Sequence, residues 1–188
     1  RLITWKAMQN RGLRAVIRFY YQPNTQGVIF SFTEYGYPSY GGANTQWAYV
    51  GSNGYLYFGD YVYQVNFPLT PGWHTLVGGE YYSSGKYYVI AFLDSLSNSR
   101  MVSTTNLPQL FGQYSNYPYS FLGTGNAGGW GGVPSGVNWY FYNGYIQYIA
   151  LYGGNSPNIQ STLLQWLTQT GGKSIPPTIS GAGPYVLY

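Results

Sequence analysis

Runs of aromatic and β-branched residues, each closed by Gly, Asn, Ser or Pro, recur from the N-terminus to about residue 152. This rhythm restricts the chain to an all-β architecture. Strands are expected near 2–6, 13–21, 26–33, 45–51, 54–59, 61–66, 73–82, 86–94, 118–123, 137–142 and 144–152. That is too many for one open sheet, whereas two packed antiparallel sheets bury one face of each and limit exposed edges. The expected fold is therefore a two-sheet antiparallel jelly-roll sandwich. Ser52-Asn53-Gly54 reads as a hairpin turn with positive φ angles, and Asn143-Gly144 is expected to join its flanking strands in the same way.

A single helix interrupts the pattern. Ser156 is a suitable cap, Pro157 fits the first helical position, and Ile159, Leu163, Trp166 and Leu167 recur at helical spacing before Gly171-Gly172. It is expected to lie as a lid on the sandwich edge or outer face. The division is then a sandwich domain over 1–170 and an extended tail over 171–188, a linker or an inter-subunit strand ending in strand-like YVLY. The chain opens on Arg1 without an initiator Met or a signal peptide, so a processed mature chain or a fragment of something longer is expected.

Charge is scarce. The 188 residues include 8 Lys+Arg, 4 Asp+Glu, 1 His and no Cys, against 24 Tyr and 27 Gly. The absence of Cys excludes disulfides, thiol nucleophiles and Cys-ligated zinc. Acid unfolding comes mainly from protonating carboxylates that the fold pairs, and here there are few to protonate. Life outside the cell, in hot or acidic surroundings, is the environment this composition suggests. No apolar run reaches the ~18 residues of a membrane-spanning helix, and no Asn-x-Ser/Thr glycosylation site occurs.

The same scarcity weighs against catalysis. Gly123-Thr124-Gly125-Asn126-Ala127-Gly128 satisfies the dinucleotide pattern GxGxxG, but the GGWGGVPSG that follows is no helix and no acid lies downstream for a ribose. His74 is the one candidate general base and reads as structural. A glycosidase needs two facing carboxyls, and Glu34, Asp60, Glu80 and Asp94 are isolated in sequence. Asp60 and Asp94 are weak calcium candidates that read first as turn residues bonding their own backbone. No catalytic residue, no cofactor and no resident metal are assigned.

Binding chemistry is better represented. Strand alternation in LRAVIRFY sends Leu13, Ala15, Ile17 and Phe19 to one face and Arg14, Val16, Arg18 and Tyr20 to the other. Arg14 and Arg18 then share an outward face, either a solvated surface or a grip for acidic glycan or partner carboxylates. Nucleic acid is not expected, because no binding motif accompanies so small a patch. Trp47, Trp73 and Trp139 read as core or sheet-face packing. Trp130, in the glycine-rich stretch 123–136, reads as a ring displayed on a loop. Tyr35, Tyr37 and Tyr40, together with Tyr114 and Tyr117, stand beside amides and hydroxyls, a mixture suited to sugars and equally to protein partners.

The segments GVIFSF, WAYVGSNGYLYFG, LTPGWHTLVGGEYYSSGKYYVIAFLDS, YSFLGTG and YFYNGYIQYIALYGGNSPNIQSTL occur in an order that resembles the laminin G-like jelly rolls of the concanavalin A-like lectin/glucanase superfamily. The resemblance spans about residues 13–167 and rests on Trp73-His74 and on Asn143 to Tyr152. Ser95 stands where a Gly after Asp94 is usual, and the E-x-D-x-E strand of the hydrolase members is absent. The resemblance implies a jelly roll of non-catalytic, adhesive or glycan-binding use. The expected role is an extracellular module, secreted or on a cell or virion surface, that is not transmembrane. Its expected partners are glycan or neighbouring subunits, as a homo-oligomer or part of a larger surface assembly. The competing expectation is a structural subunit of a filament or virion, joined through Tyr-rich faces and terminal strands.

Overall fold

Alternation in the first strand builds the sandwich as expected, with Leu13, Ala15, Ile17 and Phe19 inside and Arg14, Val16 and Arg18 on the opposite face. A computed structural model describes residues 11–40, 42, 44–61, 63–112 and 119–185, so the expected strand at 2–6 and residues Tyr114 and Tyr117 lie outside the described residues. Ten strands follow in chain order: β1 (Gly12–Tyr21), β2 (Gly27–Thr33), β3 (Asn44–Val50), β4 (Tyr55–Asp60), β5 (Tyr63–Pro68), β6 (Gly72–Ser83), β7 (Lys86–Leu93), β8 (Ser99–Thr104), β9 (Tyr119–Leu122) and β10 (Tyr145–Gly153). The helix α1 (Pro157–Thr170) follows β10.

Two five-stranded antiparallel sheets result, in the orders β10-β1-β6-β7-β8 and β5-β4-β3-β2-β9. Between them lies the main core, which includes Ile17, Phe19, Phe32, Trp47, Phe58 and Leu151. Gly78 of β6 makes room for Phe58 of the facing sheet, since a Cβ there would lie 2.6 Å from the ring.

Unlike most antiparallel sheets, these are covered in part on their outer faces as well. Helix α1 lays Ile159, Leu163, Trp166 and Leu167 on Val16, Val77, Ala150 and Tyr152 of the first sheet. Its ends follow the sequence signals: the Ser156 side chain accepts from Asn158 N–H, and Gly171 closes the helix at φ 62°. The outer face of the second sheet carries Val28, Tyr49 and Tyr57, covered by Ala127, Trp130 and Tyr140 of the glycine-rich loop.

Two expectations are corrected by this packing, the geometry of a third is refined, and one strand is added. Residues 137–142 form no strand of either sheet; they fold back on 123–127 through bonds such as Tyr140 N–H to Gly125 O (2.9 Å). Asn143-Gly144 is accordingly no hairpin turn. Instead, Asn143 Oδ1 accepts from Gln26 N–H (2.8 Å) and its Nδ2 donates to Asn24 O (3.0 Å), which ties the loop to the β1–β2 turn. Ser52-Asn53-Gly54 does join β3 and β4 in an antiparallel hairpin as expected, although positive φ falls on Gly54 alone and Gly54 N–H bonds Gly51 O, a longer loop than the two-residue kind. The unexpected strand β8, SRMVST, lacks aromatic residues and forms an edge, where burial does not impose an apolar pattern.

The tail is held by its own sandwich as far as it is described. Gly153 N–H donates to Ala182 O (2.9 Å) and Tyr185 N–H to Leu151 O (2.8 Å), along the side of β10 that faces away from β1. No helix among the described residues is long and apolar enough to cross a membrane.

Candidate functional site

Among the described residues, a group of exposed aromatic side chains gathers where β9, the β2–β3 loop and residues 137–142 meet. Pairing of β9 with β2 sets Thr33 opposite Tyr119 and Ser31 opposite Phe121. Two-residue periodicity then sends Tyr119 and Phe121 to the same side, ring on ring at 6.2 Å. Trp139 meets Phe121 edge-on at 5.2 Å, and its Nε1–H donates to Ser39 O (2.8 Å), fastening the indole to the β2–β3 loop. Tyr37 stands over this base, edge-on to Trp139 at 5.5 Å and to Phe141 at 5.7 Å.

Tyr37 and Phe141 remain 60% and 56% exposed despite these contacts, and Tyr35, Tyr40 and Tyr119 are exposed beside them. Rings braced edge-to-face lose little freedom on binding. The platform borders the outer edge of β9, along which no described strand pairs.

Three expected site residues belong elsewhere. Trp130 is not displayed: only 4% of it is exposed, with its ring edge-on to Tyr49 at 5.8 Å and to Tyr61 at 5.3 Å. A glycine-rich loop can fold flat on a sheet, and Val28, Tyr49 and Tyr57 offered it an apolar floor. Arg14 and Arg18 do share the outer face of the first sheet, but neither is a freely solvated cation. Arg14 is buried beneath α1, and Arg18 bonds Gln147 Oε1 and Thr75 Oγ1 at 2.8 Å each, its guanidinium 5.4 Å from the Trp73 ring centre. Phe121, Trp139, Phe141 and Tyr119 are the platform residues that sequence reasoning missed. Period-two spacing in YSF was the available signal, but nothing in the sequence announced that 137–142 would lie beside β9.

Two of the four acids, Asp60 and Glu80, meet inside the protein, whereas Asp94 is exposed and Glu34 half-buried. Glu80 is fully buried and accepts from Trp47 Nε1–H; its Oε1 has no partner at ordinary hydrogen-bond distance, and its charged neighbour is the Asp60 carboxyl. Burial, and then Asp60, push the Glu80 pKa well above its usual range. Asp60 is also pushed up by burial, against the N–H groups of Leu110 and Tyr61 that bond it at 3.0 and 2.9 Å. Asp94 accepts from Thr75 N–H (2.8 Å) and faces His74 Nδ1 at 2.6 Å, while His74 Nε2 faces Thr70 O. An imidazole with acceptors at both nitrogens makes both bonds only when protonated. The expected calcium candidates Asp60 and Asp94 are thus engaged separately, and no group of three or more potential metal-binding side chains occurs among the described residues.

No protein-family model matches the chain, and no curated protein matches it.

Proposed function

We propose that this chain is a non-catalytic extracellular binding module of laminin G-like type, which holds glycan on the aromatic platform of Tyr37, Tyr119, Trp139 and Phe141. The observation that carries the reading is the exposure of Tyr37 and Phe141 on a base of interlocked rings. Aromatic faces cover the apolar C–H faces of sugar rings, while hydroxyls and amides at the rim take the sugar hydroxyls. Ser39, Asn44, Ser120 and Asn138 are the hydroxyls and amides that the same segments carry. Asp60 and Glu80 are almost wholly buried, Asp60 beneath a cleft it lines with Tyr61 and Gln109, and burial of both carboxyls supports a binding role over sugar cleavage.

Affinity electrophoresis through gels containing neutral β-glucans, mannan or xylan tests this. Retardation that disappears in Tyr37→Ala is the expected result. Unretarded migration in every gel would contradict it. The second reading, a subunit of a surface assembly, is favoured by the open edge of β9 beside the platform, because such edges accept strands from neighbours. A particle mass in solution several times that of one chain would support it.

A further inference from the structure

Arg14 is a cation without an anion among the described residues. It is 3% exposed, no described carboxylate pairs with it, and no acidic side chain follows Asp94 in the sequence. Its hydrogen bonds are long, Nε to Gln160 Oε1 and Nη1 to Gly154 O, each at 3.4 Å. A guanidinium has five N–H donors and at neutral pH cannot escape burial by losing its proton. Its shape is also held in advance. The plane lies over the Tyr81 ring at 4.6 Å, and Gly79 across the pair leaves room for the stem, since a Cβ there would lie 3.0 Å from Arg14 Cγ.

This guanidinium lines a cleft of about 500 Å³ between the end of β6 and the first turns of α1. Around it stand the rings of Tyr81 and Tyr82, the amides of Asn155 and Gln160 and the hydroxyl of Ser83. The first turn of α1 bears no acid, so the positive end of the helix adds to the cation rather than cancelling it.

We propose that this cleft binds an acidic sugar residue, its carboxylate engaging Arg14 and its ring resting among Tyr81, Tyr82, Asn155 and Gln160. A planar carboxylate matches the guanidinium fork in a two-bond pairing, and the long bonds to Gln160 and Gly154 are weak enough to give way. Flat rings with amides and hydroxyls suit the rest of a uronic acid. The cleft shares no residue with the platform, so the two sites fail or succeed separately.

The test is calorimetric titration at low ionic strength with trigalacturonic acid, its neutral counterpart maltotriose, and a sulfated trisaccharide. The expected result is saturable binding of the uronate, at least about tenfold weaker in Arg14→Gln, as loss of a charge-assisted pair implies. Ser161→Phe, which fills the cleft mouth from the exposed side of α1 without replacing Arg14, is expected to abolish binding and to leave the unfolding temperature unchanged. It keeps the test valid should Arg14→Gln fold poorly. Equal affinity for maltotriose, preference for the sulfated sugar, undiminished binding in Ser161→Phe, or no heat with the uronate would each overturn the proposal.

Discussion

The indole Nε1–H of Trp47 on β3 donates a 3.0 Å hydrogen bond to Oε2 of Glu80 on β6, so a polar bond crosses the apolar interface between the two sheets. Both residues are fully buried, and burial, with the Asp60 carboxyl beside it, pushes the Glu80 pKa well above its ordinary range. Replacing Glu80 by Gln keeps an acceptor for the indole and removes an ionisable group that burial disfavours. Glu80→Gln is therefore expected to be at least as stable as wild type at pH 7 in urea unfolding. Glu80→Ala strands the Trp47 N–H and opens a cavity, and is expected to lose about 2–4 kcal/mol.

Stability is expected to rise as the solution becomes more acidic. The Asp60 and Glu80 carboxyls are shifted upward by burial. For His74, burial pulls downward, but the bonds to Asp94 and Thr70 O outweigh it and the net shift is upward. All three groups hold protons more tightly when folded, so the native state carries more protons than the unfolded chain, and stability falls as pH rises. The His74 contribution is complete below its ordinary value of 6.5 and is lost as pH climbs through the raised one. Unfolding temperatures measured from pH 5 to pH 8 are expected to decline, and His74→Gln to flatten the upper part of that decline. A stability maximum at or above pH 8 would contradict this.

Trp130 is expected to reveal itself through stability rather than ligand binding. Its ring fills the contact between the glycine-rich loop and Val28, Tyr49 and Tyr57 of the second sheet. Trp130→Ala is expected to cost about 3–5 kcal/mol, the usual range for a buried Trp, in chemical unfolding. A loss under 1 kcal/mol would mean that the loop does not depend on this anchor.

Much of this architecture can be read from the sequence where a local rule acts alone. Alternation in β1 assigned both of its faces, and Ser156, Pro157 and Gly171 marked both ends of α1. What escaped was decided by partners distant in sequence. Trp130 reads as displayed because its neighbours are glycines, yet its floor is Val28, Tyr49 and Tyr57. NWYFY reads as a strand by composition, but its backbone bonds go mainly to Gly123, Gly125 and Ala127, and it meets β2 only in an isolated bridge at Val28. Glu80 and Asp60 lie on β6 and β4, and only the stacking of the sheets brings their carboxyls together. Of the platform, Tyr35, Tyr37 and Tyr40 were visible as loop aromatics, whereas Phe121 and Trp139 became part of it through the fold.

The platform is tested most directly by the indole N–H resonances of its tryptophan. Trp139 Nε1–H bonds Ser39 O within the platform, whereas Trp47 Nε1–H is sealed between the sheets and Trp166 Nε1–H bonds Ser174 under α1. In ¹⁵N-labelled protein titrated with neutral β-linked glucose, mannose and xylose hexasaccharides, at least one sugar is expected to shift the Trp139 resonance saturably. Trp47 and Trp166 should remain in place, and Tyr37→Ala should remove the response. A Trp139 resonance unmoved by every sugar, or one that responds equally in Tyr37→Ala, would contradict glycan binding at this site.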